Sequence, residues 1–275
     1  MAEPSPSSLA GKRIVITRAV AQSDSLADAL RARGAIVYGT PLIKIISAED
    51  FADLDAGLRR LRADDWIFLT SQNAVHPVAL RLHILRADDP QTAEAVRIAA
   101  VGPATQRAAE EAALEVSYVA RAHDGVSLAH ELEKDLRGRR VLLPRSDIAG
   151  ADLPEALLRF GATVLEIVAY RTERVHDSDV GLRALISAHG VDAIICFSPS
   201  TVFALADILS GPCIGDLQQH IVFAAIGEST ARAFRETGAS RPLIASEATG
   251  EAIVSLLATH FAERTAQQFE GAKKS

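Results

Sequence analysis

Cysteine is nearly missing from this chain: 275 residues contain only Cys196 and Cys213, with 16 residues between them. That spacing fits no zinc or dithiol motif, and the thiols are expected to be free in a reducing compartment. Basic excess is missing too. The 29 Lys and Arg residues are outnumbered by 35 Asp and Glu, giving a net charge of −6. A general nucleic-acid binder would carry the opposite balance, so nucleic acid is not an expected partner. No apolar run reaches the roughly 18 residues of a membrane span. Residues 1–10 are Pro/Ser-rich and lack the basic and apolar regions of a signal peptide, so a frayed tail and a cytoplasmic location are expected. Several motifs are absent as well: G-x-G-x-x-G, the phosphate-binding G-x-x-x-x-G-K-[ST], G-x-S-x-G and H-E-x-x-H. The eight histidines are dispersed, and His76/His83 and His123/His130, each seven apart, argue no metal site.

What is present is ordinary globular material, 48% hydrophobic and 23% charged, long enough for two domains or one large one. Short β-branched runs alternate with helical patterns. Strands are expected at 13–17, 66–70, 97–101, 140–143, 193–197 and 221–226. Helices are expected between them, the last over about 250–261, with 265–275 disordered. This alternation predicts an α/β protein with parallel sheets flanked by helices. Two long extended segments, 35–46 and 162–172, interrupt the rhythm. Pro41 in the first argues for an edge or a crossing segment rather than a central strand.

The rhythm repeats. Gly138-Arg139-Arg140 lies 127 residues beyond Gly11-Lys12-Arg13, and the same offset relates Gly34 to Gly161, Asp65 to Asp192, Ser71 to Ser198 and Val75 to Val202. Later the offset is 125, relating Gly102 to Gly227 and Thr105 to Thr230. Two copies of one unit predict two similar lobes with a cleft between them. If the extended segments 35–46 and 162–172 pair, the chain exchanges between lobes. Spacing alone leaves tandem and interleaved arrangements open.

Ligands of parallel sheets bind beyond the carboxyl ends of the strands. The turns there are Thr17-Arg18, Thr70-Ser71-Gln72-Asn73, Gly102-Pro103-Ala104-Thr105, Arg145-Ser146-Asp147, Ser198-Pro199-Ser200-Thr201 and Gly227-Glu228-Ser229-Thr230. Hydroxyls and glycines at helix entrances are either ordinary N-caps or, with their free N–H groups, cradles for carboxylate or phosphate. Arg18 and Arg145, equivalent in the repeat, are either solvated or carboxylate-binding. Tyr170 lies in the second extended segment, where its phenol either reaches the cleft as a proton donor or packs at the lobe junction.

An ordered set of segments then carries a resemblance over 13–261: V-I-T-R (15–18), T-S-Q-N-A-V (70–75), A-V-G-P-A-T (100–105), L-L-P-R-S (142–146), G-A-T-V-L-E-I-V-A-Y-R-T (161–172), F-S-P-S-T-V (197–202) and A-I-G-E-S-T-A (225–231). The chain resembles the uroporphyrinogen-III synthase family. The resemblance implies closure of the linear tetrapyrrole hydroxymethylbilane to uroporphyrinogen III, with loss of water and inversion of the last ring, without metal or organic cofactor. It implies an interleaved path: 1–40 with 173–275 in one lobe, 44–169 in the other, and two-stranded linkers near 41–43 and 170–172. It casts Tyr170 as the residue assisting departure of the hydroxyl group. Arg18, Ser71, Gly102, Thr105, Arg145, Ser198, Ser200, Gly227 and Thr230 become candidate contacts for the substrate's carboxylates. Hydroxymethylbilane is then the small-molecule partner, with transient contact to hydroxymethylbilane synthase a further candidate, and a monomer is the default. The competing readings are a non-catalytic two-lobed sensor of an anionic small molecule, a phosphosugar enzyme and an interaction scaffold.

Overall fold

A computed structural model describes residues 8–18, 24–122, 124–209 and 214–272. Its elements, in chain order, are β1 (Arg13–Ile16), α1 (Asp24–Ala32), β2 (Ile36–Gly39), β3 (Ile43–Ser47), α2 (Ala52–Arg60), β4 (Trp66–Leu69), α3 (Gln72–Asp88), β5 (Arg97–Ala100), α4 (Pro103–Glu111) and β6 (Tyr118–Val119). They continue with α5 (Gly125–Glu131), α6 (Glu133–Leu136), β7 (Arg140–Ser146), α7 (Asp152–Arg159), β8 (Thr163–Arg174), α8 (Asp177–Ser187), β9 (Ala193–Cys196), α9 (Pro199–Ile208), α10 (Ile214–Leu217), β10 (Val222–Ala225), α11 (Glu228–Glu236), β11 (Leu243–Ile244) and α12 (Gly250–Ala272).

The chain forms two compact units. One contains Met1–Lys44 and Arg174–Ser275, the other Ile45–Glu173. The first is built on a five-stranded sheet in the order β2-β1-β9-β10-β11, with all four neighbouring pairs parallel. The second has six strands, β3-β8-β7-β4-β5-β6, again parallel along β8-β7-β4-β5-β6. In repeat terms β8, β7, β4, β5 and β6 are the counterparts of β2, β1, β9, β10 and β11. The two sheets therefore share one strand order, and each is assembled from pieces of both copies. The first extended segment divides around Pro41: β2 edges the first sheet, and β3 lies beside β8 in the second.

Two carboxylates fasten the copies together within each unit. Asp192, just before β9, accepts from the Arg13 backbone N–H at 2.8 Å and its Nε at 3.0 Å. Its repeat equivalent Asp65, just before β4, accepts from the backbone N–H groups of Arg140 at 2.9 Å and Arg62 at 2.8 Å. Ionised acceptors make hydrogen bonds roughly twice as strong as neutral ones, so these pairs fix strand register at the amino ends of β1 and β7.

Both faces of both sheets are covered. Ile14, Ile16, Leu30 and Val254 pack on one side of the first sheet, and Val15, Ile194, Phe223 and Phe234 on the other. In the second, Ile67, Leu69, Val78 and Leu142 face one layer, and Trp66, Phe68, Leu143 and Leu157 the opposite one. Strands buried on both faces read as continuous apolar runs, which is why Trp66–Leu69 and Ala193–Cys196 are legible in the sequence.

Two terminal expectations need correction. The chain at 8–11 is not frayed: Leu9 is fully buried and its N–H donates to the Arg33 carbonyl at 3.0 Å. Burial of one leucine in the layer with Ile14 outweighs the Ser/Pro composition around it. The helix expected to stop near 261 continues to Ala272, because 262–272 is rich in Ala, Glu and Gln and carries no proline. Residues 1–7 and 273–275 lie outside the described residues, as does Cys213. Cys196 is buried, and its thiol is pushed up to about 12 by that burial, so it stays protonated and inert. Among the described residues no helix is long and apolar enough to cross a membrane.

Candidate active site

A sheet order of this kind reverses direction once, and the crevice at that point collects the loops of the two flanking strands. In the first unit the reversal lies between β1 and β9. Thr17 and Arg18 follow one strand, and Phe197 to Ser200 follow the other. The Thr17 hydroxyl donates to the Ile195 carbonyl at 2.7 Å, tying the two strand ends together. The Arg18 guanidinium lies over the Phe197 ring, 4.2 Å from its centroid, and burial lowers its pKa. Ser198 is a working N-cap: it accepts from the Thr201 N–H at 3.3 Å and is within 2.9 Å of the Ser200 hydroxyl and 2.8 Å of the Thr201 hydroxyl.

In the second unit the reversal lies between β7 and β4, and there the chemistry concentrates. Ser71 caps α3 by accepting from the Asn73 N–H at 3.1 Å. The regular pairing of β7 with β8 runs to Arg145 opposite Val168. It then slips, so that Ser146 faces Tyr170 and β8 carries one extra residue. Ala169 and Tyr170 are buried in succession, which a regular strand facing a single layer would not allow. Such a bulge re-aims a side chain. Here it turns the phenol toward Ser71 and Asn73, whose side chains favour its ionised form. Burial, the larger influence, raises the phenol pKa above the ordinary tyrosine value. The phenol is thus held as a proton donor at neutral pH. Tyr170 is 9% exposed and lines a cavity of about 320 Å³ bounded by β3, Phe51, α3 and β8.

The nine other candidates separate by geometry. Gly102 and Gly227, equivalent in the repeat, begin α4 and α11 without any side-chain cap, so those helix entrances keep unfilled N–H donors. Ser71 and Ser198 fill theirs. Thr105 and Thr230 are 4% and 1% exposed and lie beneath their turns, at position three of the first helical turn. The Arg145 guanidinium is buried, paired with Glu166 at 3.0 Å and donating to the Gly150 carbonyl at 2.6 Å, so it braces the loop after β7. Glu228, an acidic side chain at the entrance of α11, turns back to pair with Arg235 at 2.6 Å.

A larger cavity of about 410 Å³ lies at the opposite, amino ends of β4, β5 and β6, lined by Trp66, Arg97 and Tyr118. Its charged groups are paired with one another, Arg97 with Asp135 at 3.5 Å, and Tyr118 donates to Glu131 at 2.8 Å. Among the described residues no group of three or more His, Cys, Asp or Glu side chains could hold a metal ion.

A family model described as uroporphyrinogen-III synthase HemD matches residues 24–255. The chain belongs to the uroporphyrinogen-III synthase family. It is 30% identical over 230 residues to the uroporphyrinogen-III synthase of Synechococcus elongatus, covering 81% of this chain and 85% of that one. It is 31% identical to the chloroplastic uroporphyrinogen-III synthase of Oryza sativa, covering 82% and 72%. The fold matches a crystal structure of a mutant uroporphyrinogen III synthase from Thermus thermophilus, with a TM-score of 0.69 at 20% identity, covering 94% of this chain and all of that one.

Within this family setting the uncapped glycine turns are directly testable. Gly227 has extended backbone that any residue adopts, and a Cβ there would meet nothing within 4 Å. Gly227→Leu is expected to lower the melting temperature only modestly, by the loss of a tolerated N-cap, while raising KM for an acidic substrate about tenfold by filling the approach to the N–H donors. Thermal melts beside steady-state kinetics check this, and an unchanged KM removes that turn from the binding surface.

Proposed function

We propose that the chain catalyses closure of hydroxymethylbilane to uroporphyrinogen III, with Tyr170 as the general acid. The observation that carries the assignment of Tyr170 is its phenol, kept protonated by burial yet open to a cavity and flanked by Ser71 and Asn73. The carbon–oxygen bond of the hydroxymethyl group breaks, and the electron pair leaves on oxygen, which takes the phenol proton and departs as water. An electron-poor azafulvene remains, its positive charge shared with the ring N–H. The substituted carbon of the last pyrrole attacks it, giving a spiro intermediate that rearranges with inversion of that ring. The proton shed on rearomatisation restores the phenol.

The linear substrate also closes unaided, without inversion, so positioning must favour the spiro route. We assign that positioning to the uncapped entrances of α4 and α11 at Gly102 and Gly227, with Arg18, Ser71, Ser198 and Ser200 as further polar contacts to the carboxylate arms. Helix entrances explain how a chain of net charge −6 accepts a polyanion: the attraction is local. A cytoplasmic setting, suited to reduced thiols, and transient contact with hydroxymethylbilane synthase belong to the same reading.

The test generates hydroxymethylbilane in situ, adds the protein, oxidises the products and separates type I from type III isomers. A type III product at a rate proportional to enzyme concentration is expected. Type I alone, from folded protein, overturns the reading, and substrate binding without turnover points to a sensor instead.

A further inference from the structure

The cavity beside Tyr170 is built for something flat and apolar that carries a hydrogen-bond donor. Its volume, about 320 Å³, is at the low end for small-ligand sites of about 300–1,000 Å³, suited to one ring rather than a whole tetrapyrrole. Ile45 and Leu80, 39% and 42% exposed, both line it, so two large apolar side chains stand at one opening without protein cover. Phe51 forms a further wall. The Arg81 guanidinium lies over its ring, 5.7 Å from the centroid, and is itself held by two bonds to Asp55 at 2.7 and 2.5 Å.

The acceptor comes from a helix defect. Pro77 sits inside α3 and has no N–H to return to the carbonyl of Asn73, four residues earlier. Asn73 and Pro77 both line the cavity, so the helix turn whose carbonyl lacks its helical donor borders the same site. A helix of 17 residues accommodates this interior proline despite its cost to helix stability, and an acceptor for a ligand N–H gives that cost a use.

We propose that this cavity seats the pyrrole ring bearing the hydroxymethyl group, with the Asn73 carbonyl accepting the ring N–H and Ile45, Phe51 and Leu80 excluding water. The proposal rests on the activity assigned above. The carbonyl dipole steadies the N–H that shares the positive charge once the hydroxyl departs. The apolar wall matters at the same moment. Water adding to the electron-poor carbon re-forms the carbon–oxygen bond, returns a proton to the phenolate and regenerates the substrate, whereas attack by the last pyrrole goes forward.

Isotope exchange reads this directly. The reaction is run in ¹⁸O-water, quenched early, and the recovered hydroxymethylbilane is weighed by mass spectrometry against substrate incubated alone. Wild type is expected to return substrate with little label. Leu80→Ser, at a partly exposed helix position, is expected to raise label per turnover several-fold and to slow type III formation. Pro77→Ala restores the helical N–H and is expected to raise the melting temperature while raising KM about tenfold, the value of one hydrogen bond. Label at the wild-type level in Leu80→Ser overturns the water-excluding wall, and an unchanged KM in Pro77→Ala overturns the N–H contact. Failure of the functional reading itself looks different: wild type then forms no type III isomer at all.

Discussion

Tyr170→Phe is expected to lower kcat for type III formation by about 10²- to 10⁴-fold, the usual worth of a positioned general acid, with KM nearly unchanged. The substitution removes one oxygen from a side chain that otherwise packs beside Leu69 and Val78, so the fold should persist. Activity should fall without vanishing, because positioning by the carboxylate contacts survives. As turnover slows, unaided closure competes, and the type I fraction rises. The pH profile supplies a second readout. The acid must be protonated, and burial raises its pKa, so wild-type activity should hold through neutral pH and fall only as pH climbs past that raised value. Removing the phenol should abolish that alkaline limb. Wild-type turnover in Tyr170→Phe, or an identical alkaline limb, takes Tyr170 out of the mechanism.

Asp65→Ala is expected to produce the largest loss of stability from a single polar substitution, about 3 kcal/mol. The residue is 5% exposed, and its carboxylate accepts from two backbone N–H groups, those of Arg62 and Arg140. Alanine leaves both donors without their acceptor. Asp65→Asn keeps an acceptor oxygen and should lose clearly less. Asp192→Ala, at the equivalent and more exposed position, should fall between them. The chain's one tryptophan, Trp66, is the neighbouring residue and is buried in the same unit, so its fluorescence during urea unfolding reports the effect. Equal midpoints for Asp65→Ala and Asp65→Asn would show that the carboxylate does not act as a clamp.

These two residues also mark how far the chain can be read without coordinates. Asp65 and Asp192 are visible in the sequence as a matched pair, because duplication preserves spacing. Their partners, Arg140 and Arg13, are not, since each carboxylate reaches into the other copy of the repeat. Turn residues behave similarly. Ser71, Gly102, Ser198 and Gly227 look alike as helix entrances, yet two fill their own N–H donors and two leave them open. Thr105, Thr230 and Arg145 carry polar groups at the same strand ends, and the fold buries all three. Composition records which groups can hydrogen-bond, while packing decides which of them still need a partner.

The order of apolar runs, the glycine and proline punctuation and the 127-residue spacing determined by themselves an α/β duplication with parallel sheets, since strand and helix periodicities are local properties of the chain. The tertiary structure alone decided that each sheet draws on both copies, that a bulge after Val168 turns the Tyr170 phenol toward Ser71 and Asn73, and that Phe51, Pro77 and Leu80 meet beside it. Those contacts join residues far apart in the chain. Their energies depend on register and burial, which exist only once the sheets have formed.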